Sequence, residues 1–351
     1  MTRIGIVPQV SGVGGMVSFR AKFSAGLTAR GFEVSSNPQD ADAVLVIGGT
    51  RDLLSLWRAK RRGVRIVQRL NGINWLHRKI RTGWRHYLRA EIGNWILQFI
   101  RARLADHIVY QSEFSQQWWQ RIYGAQKGSQ SITLNAVDLQ GYTPEAASVK
   151  FNSDSQSAYR VLLVEGSLMG GYEMGLESAI GLVERLNDAH RHSLGEVPVE
   201  LVVVGRVSEA LKADWTQRTD IPLVWAGLLP PEKIPSMYHS ADLLFSSDIN
   251  AACPNSVIEA LACGTPVLAF DTGALGELVS EEAGRIIPYG GDPWNLDPPD
   301  VDGLADAAVE ILLGQEHFRP GARAHAEEFL GLDEMVDGYL AALFPGTSAL
   351  N

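Results

Sequence analysis

The sequence predicts an α/β fold of two Rossmann-like domains, each a doubly wound parallel sheet, facing a central cleft. Three observations predict it. Short apolar strand runs alternate with helical stretches, the alternation stops at a polar segment near the middle and then restarts, and 351 residues are enough for two cores. In the first half, Ile4–Val7 is a buried strand and Ser11-Gly12-Val13-Gly14-Gly15 a glycine-rich turn. Val17–Arg30 then has helical spacing, ended by Gly31. Strands follow at Phe32–Ser35, Ala43–Ile47, Val64–Gln68, Ile108–Tyr110 and Ile132–Leu134. Lys79–Leu104 is an amphipathic helix, with Ile80, Trp84, Leu88, Ile92, Ile96 and Ile100 at every fourth position.

The stretch 146–158 is small, polar and aperiodic, the composition of a linker between a first domain at 1–145 and a second at 159–321. The second half restarts with strands at 161–164, 200–204, 224–225, 243–245, 267–270 and 285–287, and helices at 173–190, 231–240, 255–263, 274–280 and 302–314. A final amphipathic stretch, Ala322–Leu343, lies within a segment 322–351 expected to cross back to the first domain. Ligands of such sheets bind outside the carboxyl ends of the strands, where glycine turns and helix N-termini favour a diphosphate.

Composition excludes several classes. No run of eighteen apolar residues is present, so no segment reads as a membrane span, and the first residues pass straight into a strand without a cleavable leader. The two cysteines, Cys253 and Cys263, have neither metal-ligand spacing nor the number for a disulfide framework, and they read as small packing residues. The expectation is a cytoplasmic protein.

The net charge of −9 conceals an asymmetry: residues 1–140 carry 20 basic against 8 acidic residues, and the remainder the reverse excess. Basic residues are densest between Arg51 and Arg103, interleaved with Trp57, Trp75, Trp84 and Trp95. Two readings stand side by side, a charged helix face with its tryptophans in the core, and a patch for the anionic inner face of a membrane. No nucleic-acid motif accompanies the charge.

The stretch Cys253-Pro254-Asn255-Ser256-Val257-Ile258-Glu259-Ala260-Leu261-Ala262-Cys263-Gly264-Thr265-Pro266-Val267 resembles the donor-site segment of glycosyltransferase family 4, and Thr272–Val279 resembles that family's Gly-x-x-Glu-Leu-Val turn. Gln68-Arg69-Leu70-Asn71-Gly72-Ile73, Gly14-Gly15 and Leu134–Leu139 add weaker echoes across most of the chain. The resemblance implies the GT-B fold and a retaining, metal-independent hexosyl transfer. The donor would be a nucleotide-sugar, UDP- or GDP-linked, serving as substrate with no further cofactor. The acceptor would be a glycan or lipid-linked glycan of cell-surface polysaccharide or glycoconjugate synthesis.

It further implies that Glu259 accepts from the ribose hydroxyls and that the amides of Asn255 and Ser256 hold phosphate. Gly14, Gly15 and Gly166 would contact the donor, and Asn71 and His77 would be the catalytic or sugar-contacting residues on the acceptor side. A surface histidine is the plainer reading of His77. Three positions depart from the pattern: Ala251 replaces the first glutamate, and Ser167 and Tyr172 replace an arginine and a lysine that would neutralise the diphosphate. Arg206, Arg20 and Arg69 are the candidate substitutes. The departures keep open a second reading, a non-catalytic GT-B-like scaffold that binds glycan or a partner.

Overall fold

The structure, a computed structural model, describes residues 1–346 except 13, 82, 146–157 and 169–172. Most of the expected linker, and Tyr172, therefore lie outside the described residues. The chain forms two compact units, Met1–Ala136 together with the segment from Gly331 onward, and Val137–Leu330.

The first unit runs β1 (Arg3–Val7), α1 (Gly15–Ala29), β2 (Glu33–Ser35), β3 (Ala43–Ile47), α2 (Leu53–Arg61), β4 (Arg65–Leu70), α3 (Trp84–Phe99), β5 (His107–Tyr110), α4 (Glu113–Tyr123) and β6 (Ser129–Ile132). Its sheet is parallel throughout, in the order β2-β1-β3-β4-β5-β6. The unbroken apolar run of β3 has a simple cause. Ala43, Leu45 and Ile47 enter the core packed by α1, while Val44 and Val46 enter the opposite core beside Leu56 of α2 and Ile100, so both faces are covered.

The second unit runs β7 (Tyr159–Ser167), α5 (Glu173–Asp188), β8 (Val199–Arg206), α6 (Glu209–Arg218), β9 (Leu223–Gly227), α7 (Ile234–Ser240), β10 (Leu243–Ser246), α8 (Asn255–Ala262), β11 (Val267–Phe270), α9 (Leu275–Leu278), β12 (Gly284–Ile287), α10 (Val301–Leu313) and α11 (Gln315–Phe329). Its parallel sheet has the order β12-β11-β10-β7-β8-β9. Val161, Leu163, Leu201 and Val203 project to one face, where Leu176, Ile180 and Val183 of α5 and Leu304, Ala308 and Ile311 of α10 cover them. On α8, Val257, Ile258 and Leu261 are buried.

The last helix, α12 (Leu332–Leu343), belongs to the first unit. Met335, Val336, Tyr339 and Leu343 pack with Phe19, Phe23 and Leu27, and Arg30 reaches Asp333 at 2.7 Å. The stretch expected as one helix over Ala322–Leu343 is thus two, parted at Leu330-Gly331, where Gly331 leaves the helical region with ψ at 146°. Its first part stays with the second unit, and only its second part returns to the first.

The helix expected over Lys79–Leu104 is also shorter. It starts at Trp84 after Gly83, whose φ of 83° breaks the run, and ends at Phe99, followed by a wider turn over Ile100–Leu104. The strand expected at Ile132–Leu134 lies earlier, at Ser129–Ile132.

Candidate functional site

In the second unit the chain lays down β7, β8 and β9 in one direction and then returns to place β10, β11 and β12 on the other side of β7. The winding reverses between β7 and β10, the place where such sheets open a crevice at their carboxyl ends. Two loops form its floor. The loop after β10 leads through Asn250, held at a φ of 56°, into α8. The loop after β11 clasps it: Ala274 N donates to Ala251 O at 2.8 Å, and Thr272 Oγ1 donates to Asp248 O at 3.3 Å. Gly273 sits at the crossing with φ at 63°, and a Cβ there would stand 2.4 Å from Ala251 O.

This clasp aims the N-terminus of α8. Its cap residue is Pro254, which makes no side-chain cap hydrogen bond, and the first turn at Asn255 and Ser256 carries the positive end of the helix dipole. Glu259 follows one turn later and is half-buried. Its charge, after burial itself, helps to push up the Tyr142 hydroxyl and to raise the Cys263 thiol to about 12. A thiol so raised is no nucleophile near neutral pH, and both cysteines are buried and unbridged, as the packing reading of the sequence expects. Gly166 and Arg206 lie at the ends of β7 and β8, with Ser167 paired in register to Arg206. Arg206 is exposed and its guanidinium makes no hydrogen bond or ion pair among the described residues.

At the reversal point lies a pair of acids that sequence reasoning missed. Glu165 lies near the carboxyl end of β7 and Asp248 follows β10, and Ser247 Oγ donates to Glu165 Oε1 at 2.8 Å. Burial, then the neighbouring Asp248 charge, raises the Glu165 carboxyl to about 8, while burial raises Asp248 to about 6. Near neutral pH Glu165 is therefore the protonated member of the pair. The only signal for them was an acid directly after the apolar run 161–164 and another three residues after the run 243–245.

A carboxyl raised in the folded state is held protonated there. Its stabilisation is complete below the unfolded values of 4.5 and 3.8 and is lost as pH rises through about 6 and about 8. The second unit is therefore expected to lose about 1–2 kcal/mol between pH 6 and 8.5, after allowance for coupling and partial solvation. Glu165→Gln is expected to flatten that slope and raise the melting temperature at pH 8. A wild-type pH profile in the variant would contradict the assignment.

In the first unit the winding reverses between β1 and β3, and glycine turns follow both strands: Gly14-Gly15 after β1 and Gly48-Gly49 after β3. Gly14 caps α1 at a φ of 136° and offers no side chain to the amides behind it. The two other candidate arginines are committed elsewhere. Arg20 donates to the carbonyls of Ile6 and Pro8 at 2.7 and 2.8 Å, and Arg69 is buried, bonded to Gln111 and Asn135 with its guanidinium 4.0 Å over the Phe19 ring. Of the three substitutes considered for the missing basic groups, only Arg206 is available at a strand end.

Asn71 follows β4, and its carbonyl accepts from Trp119 Nε1 at 2.6 Å and Ser115 Oγ at 3.2 Å. His77 is not a surface histidine. It is buried, with Nε2 2.7 Å from Glu91 Oε1. Bonding to Arg78, assisted by His77, lowers Glu91 to about 2, so the carboxylate is ionised and Nε2–H is the donor.

The two candidate sets are thus each assembled within a unit. Gly166, Arg206, Asn255, Ser256 and Glu259 share the carboxyl edge of the second sheet; Gly14, Gly15 and Asn71 share that of the first, with His77 set back among side chains.

Comparison with known proteins gives these features a context. The family Glycosyl transferases group 1 matches residues 161–313. The chain is 26% identical over 253 residues to the D-inositol 3-phosphate glycosyltransferase of Gordonia bronchialis, covering 68% of this chain and 52% of that protein. It is 28% identical over 176 residues to the 2-deoxystreptamine glucosyltransferase of Streptomyces kanamyceticus, covering 46% and 44%. The chain spans about half the length of the curated relatives it matches.

Among solved structures, sucrose-phosphate synthase from Thermosynechococcus elongatus superposes with a TM-score of 0.72 at 15% identity, covering 97% of this chain and 98% of that one. WaaG, a glycosyltransferase involved in lipopolysaccharide biosynthesis, gives 0.66 at 13%, covering 98% and 100%. Anabaena Alr3699/HepE in complex with UDP-glucose gives 0.65 at 14%, covering 97% and 100%. At such identities these likenesses show the fold, which is GT-B.

Proposed function

We propose, from the match of residues 161–313 to the group 1 glycosyl transferases, that the chain moves a sugar from a nucleotide-sugar, UDP-linked in the first instance, to a glycan or lipid-linked acceptor. The observation that carries this reading is the α8 N-terminus. The α8 N-terminus at Asn255 and Ser256, where the helix dipole is positive, and Glu259 one turn on offer a phosphate site and a ribose acceptor about one helical turn apart. Arg206 supplies the positive charge that Ser167 does not, from the adjacent strand end. The UDP preference leans on the UDP-glucose bound by the HepE structure.

The transfer we propose retains anomeric configuration and needs no metal. The bond from sugar C1 to the diphosphate oxygen breaks, the acceptor hydroxyl oxygen bonds to C1 from the same face, and its proton passes to the departing phosphate oxygen. The protein's part is to neutralise the leaving charge with the α8 amides and Arg206 and to hold the nucleoside by Glu259. Synthesis of a cell-surface polysaccharide or glycoconjugate would place the enzyme peripherally at the inner membrane face. Among the described residues no helix is long and apolar enough to cross a membrane.

Calorimetric titration with UDP, GDP, ADP and their sugar conjugates, in magnesium and in chelator, tests the proposal. Micromolar binding of one nucleotide, equal in both buffers and weakened about tenfold by Arg206→Ala, is expected. No binding across the panel would favour the scaffold reading, which the replacements at Ser167 and Ala251 and the acids at Glu165 and Asp248 would then explain.

A further inference from the structure

Helix α3 carries an apolar stripe on its outer side. Trp84 is 70% exposed, Leu88 49%, Ile92 54% and Trp95 59%, with Tyr87 beside them at 43%. Their spacing of four, four and three residues keeps them on one face through nearly three turns. The inner side of the same helix is fully used. Asn94 is buried and bonded three ways to Asn74, while Ile96 and Phe99 pack against the core beneath α2. The outer stripe is therefore not a core face left bare by a shift of the helix.

The surroundings of the stripe carry one sign of charge. Arg85 and Arg89 border it along the helix, Arg81 precedes it, and all three are exposed. The one acid of α3, Glu91, is occupied by Arg78 and His77. On α2, which packs in the same core, Trp57 and Leu54 are exposed at 46% and 54% amid Arg58, Arg61 and Arg62.

We propose that this face of α3 is an interfacial docking surface for an anionic lipid bilayer. Trp84, Leu88, Ile92 and Trp95 enter the headgroup boundary, and Arg81, Arg85 and Arg89 pair with lipid phosphates. Charge selects this occupant. The chain as a whole carries −9, so an anionic surface is attracted only by a local patch such as this one. A second copy of the chain, meeting the stripe face to face, would set arginine against arginine. Tryptophan is also the side chain that settles best where hydrocarbon meets headgroup. The inference deepens the proposed function by naming the element that would bring the enzyme to a lipid-linked acceptor. Lipid binding itself requires no turnover, so failure of either reading shows separately.

The test is co-sedimentation of the full chain with phosphatidylcholine vesicles containing either no phosphatidylglycerol or about a third, at ~0.1 M salt, with tryptophan emission recorded. At least tenfold more protein on the anionic vesicles, with a blue-shifted emission, is expected. Trp84→Ser with Trp95→Ser should abolish both signals, and Arg85→Gln with Arg89→Gln should remove the preference for anionic lipid. All four positions are exposed, so unchanged melting temperatures will show intact variants. No binding to anionic vesicles, or binding indifferent to both pairs, would overturn the proposal. So would a lipid-free dimer by light scattering that the tryptophan pair dissolves, because the face would then belong to a second copy.

Discussion

Gly273→Ala is expected to lower the melting temperature of the second unit by about 10 °C and to remove nucleotide binding with it. Two costs combine. An alanine at a φ of 63° is strained in any surroundings, by about 1–2 kcal/mol. The added Cβ would also stand 2.4 Å from Ala251 O and 2.5 Å from Ala251 N, and backbone cannot swing aside as a long side chain does. The loops must part, which breaks the Ala274–Ala251 hydrogen bond and rotates the start of α8. A total near 3 kcal/mol follows, at about 2–4 °C per kcal/mol for a unit of this size. Gly227→Ala is the control: its φ is 68°, but nothing lies within 4 Å of the new Cβ, so it carries the conformational cost alone. Equal melting temperatures for the two variants would show that the clasp is not rigid.

Glu259→Ala is expected to weaken nucleotide binding about a hundredfold while leaving the melting temperature nearly unchanged. A carboxylate accepting from both ribose hydroxyls makes charge-assisted bonds worth about 1.5–3 kcal/mol each before losses, and ~2.7 kcal/mol corresponds to that factor. Glu259→Gln keeps one acceptor oxygen and loses the charge, so about a tenfold loss is expected. Calorimetry with the nucleotide that wild type prefers measures both. Undiminished affinity in Glu259→Ala would remove this residue from the site and turn attention to Arg206 and the α8 amides alone.

How much of this was legible before the structure depends on the range of the interaction. The buried strands were plain, because a parallel strand covered on both faces must be apolar at consecutive positions, as Ala43–Ile47 is. The α8 segment was legible through its motif, which is contiguous in the chain. Glu165 and Ser247 were not, because 82 residues separate them and only the strand order brings β7 beside β10. Helices α2 and α4 escaped notice for another reason: Leu53–Arg61 reads as a basic run, and the repeat of Glu113–Tyr123 is carried by Trp118 and Trp119 amid glutamines.

The tryptophans of α3 are the most instructive case. Fourfold spacing does not mark a single face over a long helix, since each step of four advances about 40° around the axis. The series from Trp84 to Ile100 therefore starts in solvent, passes the half-buried Ile96 and ends in the core. The periodicity located the helix, but the reading that put its tryptophans in the core is corrected by the exposure of Trp84 and Trp95.

The return of α12 to the first unit has a consequence for biosynthesis. Phe19, Phe23 and Leu27 leave the ribosome early, yet Met335, Val336 and Tyr339, which cover them, are translated only after the whole second unit. At ~5–20 residues per second that interval is about 15–60 s. The second unit, continuous in the chain, can close first, while the nascent first unit carries an uncovered greasy flank. Only the arrival of α12 covers that flank.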